Sequence, residues 1–214
     1  MSVISQPGVL GRTTRQRIVG VTAALSATAV ETLAVGLWFG LVIGNRTPSV
    51  ALAGLGILFC GSLLRAGVFG ATVSELGDLL QPLRLGTALL LTAGWIVWLW
   101  LAELIGGPFG VAVATTVLVW VLVVQFALEG RVFRSRTGPQ AAYQPIGSAL
   151  LLAAGATLLL VSAWVVEWTI ASPPLAVGFT TVVLRVDAVH LGMVGFALCS
   201  FLAHQLRFQR LLAS

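Results

Sequence analysis

Six runs of apolar sequence divide this chain, and each is long enough to cross most of a hydrocarbon core of about 30 Å at 1.5 Å per helical residue. They extend roughly over Ile18–Gly44, Val50–Val73, Leu85–Gly106, Phe109–Leu128, Gly147–Ile170 and Ala188–Leu206. Only 9% of the 214 residues are charged and 58% are hydrophobic, against roughly 25% charged in a soluble domain. So few charges cannot coat a soluble globule, so most of the apolar surface faces lipid. The expected fold is all-α, a multi-pass six-helix bundle in a cell membrane. Residues 1–17 form a basic N-terminal tail, 18–206 the membrane domain and 207–214 a short basic C-terminal tail, with both termini cytoplasmic.

The breaks between the runs carry the usual turn residues. Asn45 to Pro48 is a short polar turn, Glu75 to Arg84 a mixed-charge loop, and Gly106, Gly107 and Pro108 a tight hairpin. Glu129 to Pro145 reads as the longest polar connection. Ala171 to Val186 is broken by Pro173 and Pro174 and is too short to span, so it reads as an interfacial or re-entrant piece. Arg12, Arg15 and Arg17 ahead of an apolar run imitate a secretory signal, but the apolar sequence continues to Gly44, and the first helix is expected to be retained.

All twelve basic residues are Arg. In a soluble protein a net charge of +5 would suggest a nucleic-acid partner; here nine Arg flank the spans on one side, namely Arg12, Arg15, Arg17, Arg84, Arg131, Arg134, Arg136, Arg207 and Arg210. By the positive-inside rule that side is cytoplasmic, and the partner is the lipid bilayer rather than nucleic acid. Six tryptophans (Trp38, Trp95, Trp98, Trp100, Trp164 and Trp168) fall toward the opposite side, as an aromatic belt would. With no Lys there is no Schiff-base chemistry, and Cys60 and Cys199 lie inside apolar runs with no second Cys nearby, which leaves neither a disulfide framework nor a CxxC pair.

Intramembrane charges are costly and point to a function by default. Glu31 lies in the middle of the first run and Arg65 within the second, at depths differing by about 6 Å, so an ion pair between these antiparallel neighbours is expected. The Glu31 face carries Ala24, Ala27, Thr28 and Trp38, and the Arg65 face Gly54, Gly61, Ser62 and Thr72, small and hydroxyl residues suited to protein-facing surfaces. Gly36, Gly40 and Gly44 form a GxxxGxxxG run on the opposite face of the first helix, which would place that helix centrally. The pair is either a structural clamp or a proton or ion site. Whether a water-accessible path reaches Glu31 separates the two: a transport site would gather polar residues from at least three helices there, whereas a clamp would be sealed by apolar packing.

A second set of polar residues is expected at the outer ends: Arg46, Glu103, Glu167, Arg185, Asp187 and His190, with Asp187 three residues from His190 and able to orient its imidazole. The alternative is a set of solvated anchors. His190 and His204, fourteen apart on one helix, have the spacing by which a single helix serves two haems, but each haem would need a second ligand from a partner. No metal or other cofactor site is expected. The chain has no GxSxG, HExxH or Walker motif, so no catalytic role is expected.

Glu31 followed by Leu37, Trp38 and Phe39, with Thr47 and Pro48 after the span, resembles the glutamate-bearing helix of haem-copper oxidase subunit III. Gln125 and Glu129 resemble that family's later Gln and Glu pair, at a spacing of four rather than three. A complete helix carrying Arg65 intervenes where that family's next span follows directly, and the family's His motifs are absent. The resemblance covers about two helices and implies an accessory subunit that holds no redox metal itself. Two function classes follow: a non-catalytic subunit packing against other membrane subunits or its own copies, and a small transporter or channel using Glu31 and Arg65.

Overall fold

The computed structural model describes residues 8–44, 47–73, 82–134 and 145–212. Six helices form: α1 (Gly8–Gly44), α2 (Pro48–Val73), α3 (Pro82–Ile105), α4 (Gly107–Arg134), α5 (Ile146–Trp164) and α6 (Ala188–Leu212). All six contain a segment long and apolar enough to cross a membrane, so the all-α bundle is the fold. Pro48, Pro82 and Pro108 sit in first turns, where the missing N–H costs nothing. Thr47 caps α2 by accepting the Val50 amide at 3.3 Å. Gly106 and Gly107 take positive φ values of 71° and 60° between α3 and α4, a backbone that disfavours any side chain.

Each helix packs against its neighbours in the sequence, and α6 closes back on α1 to complete a ring. Helix α1 is therefore a member of the ring and not its centre: Ala24, Ala27 and Trp38 are buried, while Leu25, Leu33 and Leu37 on other faces are exposed. In a membrane, helix association depends on close backbone approach rather than on apolar burial. Gly61 of α2 packs on Ala34 of α1, and Gly155 of α5 on Cys199 and Phe196 of α6. Gly192 of α6 rests on Ser162 of α5. Of the GxxxGxxxG run only Gly36 meets another helix, at Met193; Gly40 and Gly44 have nothing within 4 Å.

Several boundaries differ from the sequence reading: α1 begins at Gly8 and so takes in Arg12, Arg15 and Arg17, read as part of a basic tail, and α3 begins at Pro82, within the stretch read as a loop. Helix α4 continues through Glu129 to Arg134 and α6 through Arg207 to Leu212, because Glu129 and Arg207 are paired inside the bundle and do not have to end a helix there. Helix α5 ends at Trp164. The segment read as interfacial or re-entrant is an antiparallel hairpin of β1 (Thr169–Ala171), β2 (Leu175–Val177), β3 (Thr180–Val182) and β4 (Arg185–Asp187). In it β1 pairs with β4, and β2 with β3. Pro173 and Pro174 interrupt the ladder, Ser172 bridges the interruption by bonding Leu184 through both its backbone and hydroxyl, and Gly178 turns the tip at φ 60°. The aromatic belt also changes. Trp38, Trp95 and Trp98 are buried, with Trp95 and Trp98 edge-on at 5.6 Å, and Phe39 and Phe196 complete an aromatic core. Trp100 and Trp120 are the tryptophans that face outward.

Gly61→Leu is expected to lower the thermal midpoint, because overfilling a packed contact costs about 1–3 kcal/mol, whereas Gly40→Ala, which meets nothing, is expected to leave it unchanged. Thermal unfolding of the two detergent-solubilised variants compares them directly.

Candidate functional site

The centre of the ring, toward the Arg-rich ends of the helices, holds a network of ionisable side chains. Glu31 (α1), Arg65 (α2), Glu129 (α4), His204 and Arg207 (both α6) are exposed by 3%, 1%, 3%, 0% and 2%. Glu129 is the hub. One carboxylate oxygen accepts Arg65 Nη2 at 2.8 Å and Gln125 Nε2 at 2.8 Å, and the other accepts Arg207 Nη2. The Phe126 ring lies under both guanidiniums, with Arg207 Cζ 4.0 Å and Arg65 Cζ 5.9 Å from its centroid. Glu129 thus ties α2 to α6 across the ring, a connection that packing between sequence neighbours does not provide.

Glu31 forms the second half of the network. Its Oε2 accepts the Ser200 hydroxyl at 3.1 Å and lies 2.7 Å from His204 Nε2. Its Oε1 has no partner among the described residues, nor do Arg65 Nε and Nη1. Glu31 and Arg65 line one cavity of about 10 Å³ with Gly61, Ser62, Leu91 and Trp95, which is the room one water occupies. Ser62 reaches the Thr92 hydroxyl on α3 at 3.4 Å. Polar side chains from five of the six helices therefore meet here. Among the described residues two acids, Glu31 and Glu129, and two arginines, Arg65 and Arg207, meet here beside His204.

The two residues singled out in the sequence are brought to the same cavity, but their hydrogen bonds go elsewhere: Arg65 to Glu129, and Glu31 to His204 and Ser200. In the sequence Glu129 reads as the start of a polar connection and Arg207 as a flanking charge, because a charge near the end of an apolar run reads as a solvated flank. The signal was helical spacing. Gln125 and Glu129 are four apart, and Ser200, His204 and Arg207 repeat at four and three, which aligns each set on one helix face.

The outer polar residues do not form one cluster. Arg46 lies outside the described residues. Glu103 is half-buried and borders a groove with Trp38 and Trp100, whereas Glu167 and Asp187 border a different cleft. Asp187 accepts the Thr169 hydroxyl at 2.7 Å and Arg185 Nε at 3.1 Å. The Thr169 hydrogen bond, with help from Arg185, holds its carboxyl below the usual range. His190 bonds through Nδ1 to the Asp187 backbone, N at 3.0 Å and O at 3.2 Å, so the Asp187 carboxylate does not orient it. As for haem ligation, the Nε2 that His204 would offer to iron is already bonded to Glu31. Among the described residues no group of three His, Cys, Asp or Glu side chains could hold a metal ion.

No protein-family model, curated protein or solved structure matches this chain. The likeness to haem-copper oxidase subunit III accordingly rests on the quoted residues alone.

Removing one member of a buried ion network leaves an uncompensated charge and costs about 3–5 kcal/mol. An exposed pair contributes about 1 kcal/mol or less. Glu129→Ala is therefore expected to destabilise the bundle strongly and Arg185→Ala hardly at all, as read by unfolding in mixed micelles.

Proposed function

We propose that this chain is a small proton-coupled transporter of a cell membrane, with Glu31 and His204 as the proton-exchanging pair and both termini cytoplasmic. The observation that carries this reading is the convergence of polar side chains from five helices on one buried centre. A clamp between α1 and α2 would need two charges on neighbouring helices. Here five ionisable groups are buried on four helices, at a desolvation cost that packing alone does not require.

The chemistry follows from the charge count. With Glu31 and Glu129 ionised and His204 neutral, the centre is balanced against Arg65 and Arg207. One further proton, taken from water on the Arg-rich side, resides on the His204–Glu31 contact and leaves the centre positive. The added charge on α6 repels the Arg65 guanidinium of α2, which favours separation of α6 from α2. That change is reversed when the proton leaves. Loading the site and moving α6 are thus linked through one charge.

A second reading has its own support. The network is sealed, and Phe39, Trp95, Trp98 and Phe196 close it on the side away from the Arg-rich ends. That suits a non-catalytic accessory subunit whose charges fix the arrangement of its helices. Proton uptake into reconstituted vesicles, driven by a potassium diffusion potential and read with a pH-sensitive dye, separates the two. Glu31→Gln is expected to reduce uptake at least tenfold in the transporter. Unchanged uptake with a lower thermal midpoint leaves the accessory role.

A further inference from the structure

The geometry points to a binding site for amphiphilic organic cations in the cleft between the outer end of α1, the end of α5 and the start of α6. It is separate from the ionised centre and does not depend on how that centre works. The cleft measures about 490 Å³, within the range of roughly 300–1,000 Å³ typical of small-molecule sites. Its existence follows from small residues where three helices diverge. Gly40 presents no side chain and has nothing within 4 Å, while Ser162, Ala163 and Ala188 line the walls.

The lining chemistry selects the ligand class. Phe39 and Ile43 of α1 and Val189 of α6 supply apolar surface, and Trp168 adds an indole at the edge of the cleft. Two carboxylates reach the same space, Glu167 and Asp187. Asp187 is already engaged by Thr169 and Arg185. Glu167 has no paired cation among the described residues, so these residues leave the cleft one uncompensated carboxylate in a lining that also includes Trp168. An organic ammonium or phosphonium with apolar substituents satisfies all of this: its bulk fills the apolar walls, its charge meets Glu167, and its face lies against Trp168. An inorganic cation would gain nothing from the apolar walls, and a neutral lipid chain nothing from the carboxylate.

The test uses the 214-residue chain in detergent micelles with tetraphenylphosphonium as probe, followed by equilibrium dialysis against empty micelles. Saturable binding at one site per chain is expected. Glu167→Gln, at an exposed position, should weaken it at least tenfold, and Gly40→Leu, which fills the cleft, should abolish it. Neutral triphenylphosphine oxide should bind at least tenfold more weakly than the phosphonium. The proposal is overturned by non-saturable partitioning, by equal binding of the neutral compound, or by either variant binding like the parent protein. Because no proton flux is measured, failure here leaves the exchange reading of Glu31 and His204 untouched, and loss of flux in the Glu31 variant leaves this site untouched.

Discussion

The arrangement depends most on the Glu129 carboxylate, which is shared between Arg65 of α2 and Arg207 of α6. A ring of helices packed only on sequence neighbours has no internal cross-tie, and lipid supplies no hydrophobic force to close it. Glu129 provides that tie from α4, and Gln125 one turn away holds the carboxylate in place. An unpaired charge at this depth would be expelled or neutralised. Because both guanidiniums bond this one acid, α2, α4 and α6 are tied together.

Around this centre the bundle divides its labour by side-chain size. Toward the end away from the Arg-rich ends the ring is filled by large groups, Phe39, Trp95, Trp98 and Phe196. At the helix contacts the opposite choice is made, with Gly61 on Ala34 and Gly155 on Phe196, so that backbones come close enough for dispersion to hold them. The hairpin between α5 and α6 belongs to neither region. Both of its arms are exposed, and Phe179 stands free at the tip.

Much of the fold was legible because a membrane span is written as uninterrupted apolar length, and that signal needs no tertiary information. Glu31 and Arg65 were legible for the same reason, as charges where length demanded none. Glu129 and Arg207 were not, since the rule that finds spans also ends them at a charge. The pairing across the ring that permits those charges is invisible in one dimension. Arg207 accordingly counted as an orientation marker while its guanidinium lies inside the network. The glycine run of α1 shows a related limit. It reveals where a backbone could be approached, and only at Gly36 does another helix use it. The hairpin was hidden by Pro173 and Pro174, which break the alternation of a strand as readily as they break a helix.

The proposed exchange rests on a single proton shared by Glu31 and His204, whose side chains meet at 2.7 Å. Infrared difference spectroscopy of the protein in lipid, recorded across a pH titration, addresses it most directly. The account predicts a carboxylic-acid carbonyl band that appears on acidification, is lost in Glu31→Gln, and titrates at a different pH in His204→Gln. A titration with no Glu31-dependent carbonyl band, or one indifferent to the loss of His204, would contradict it.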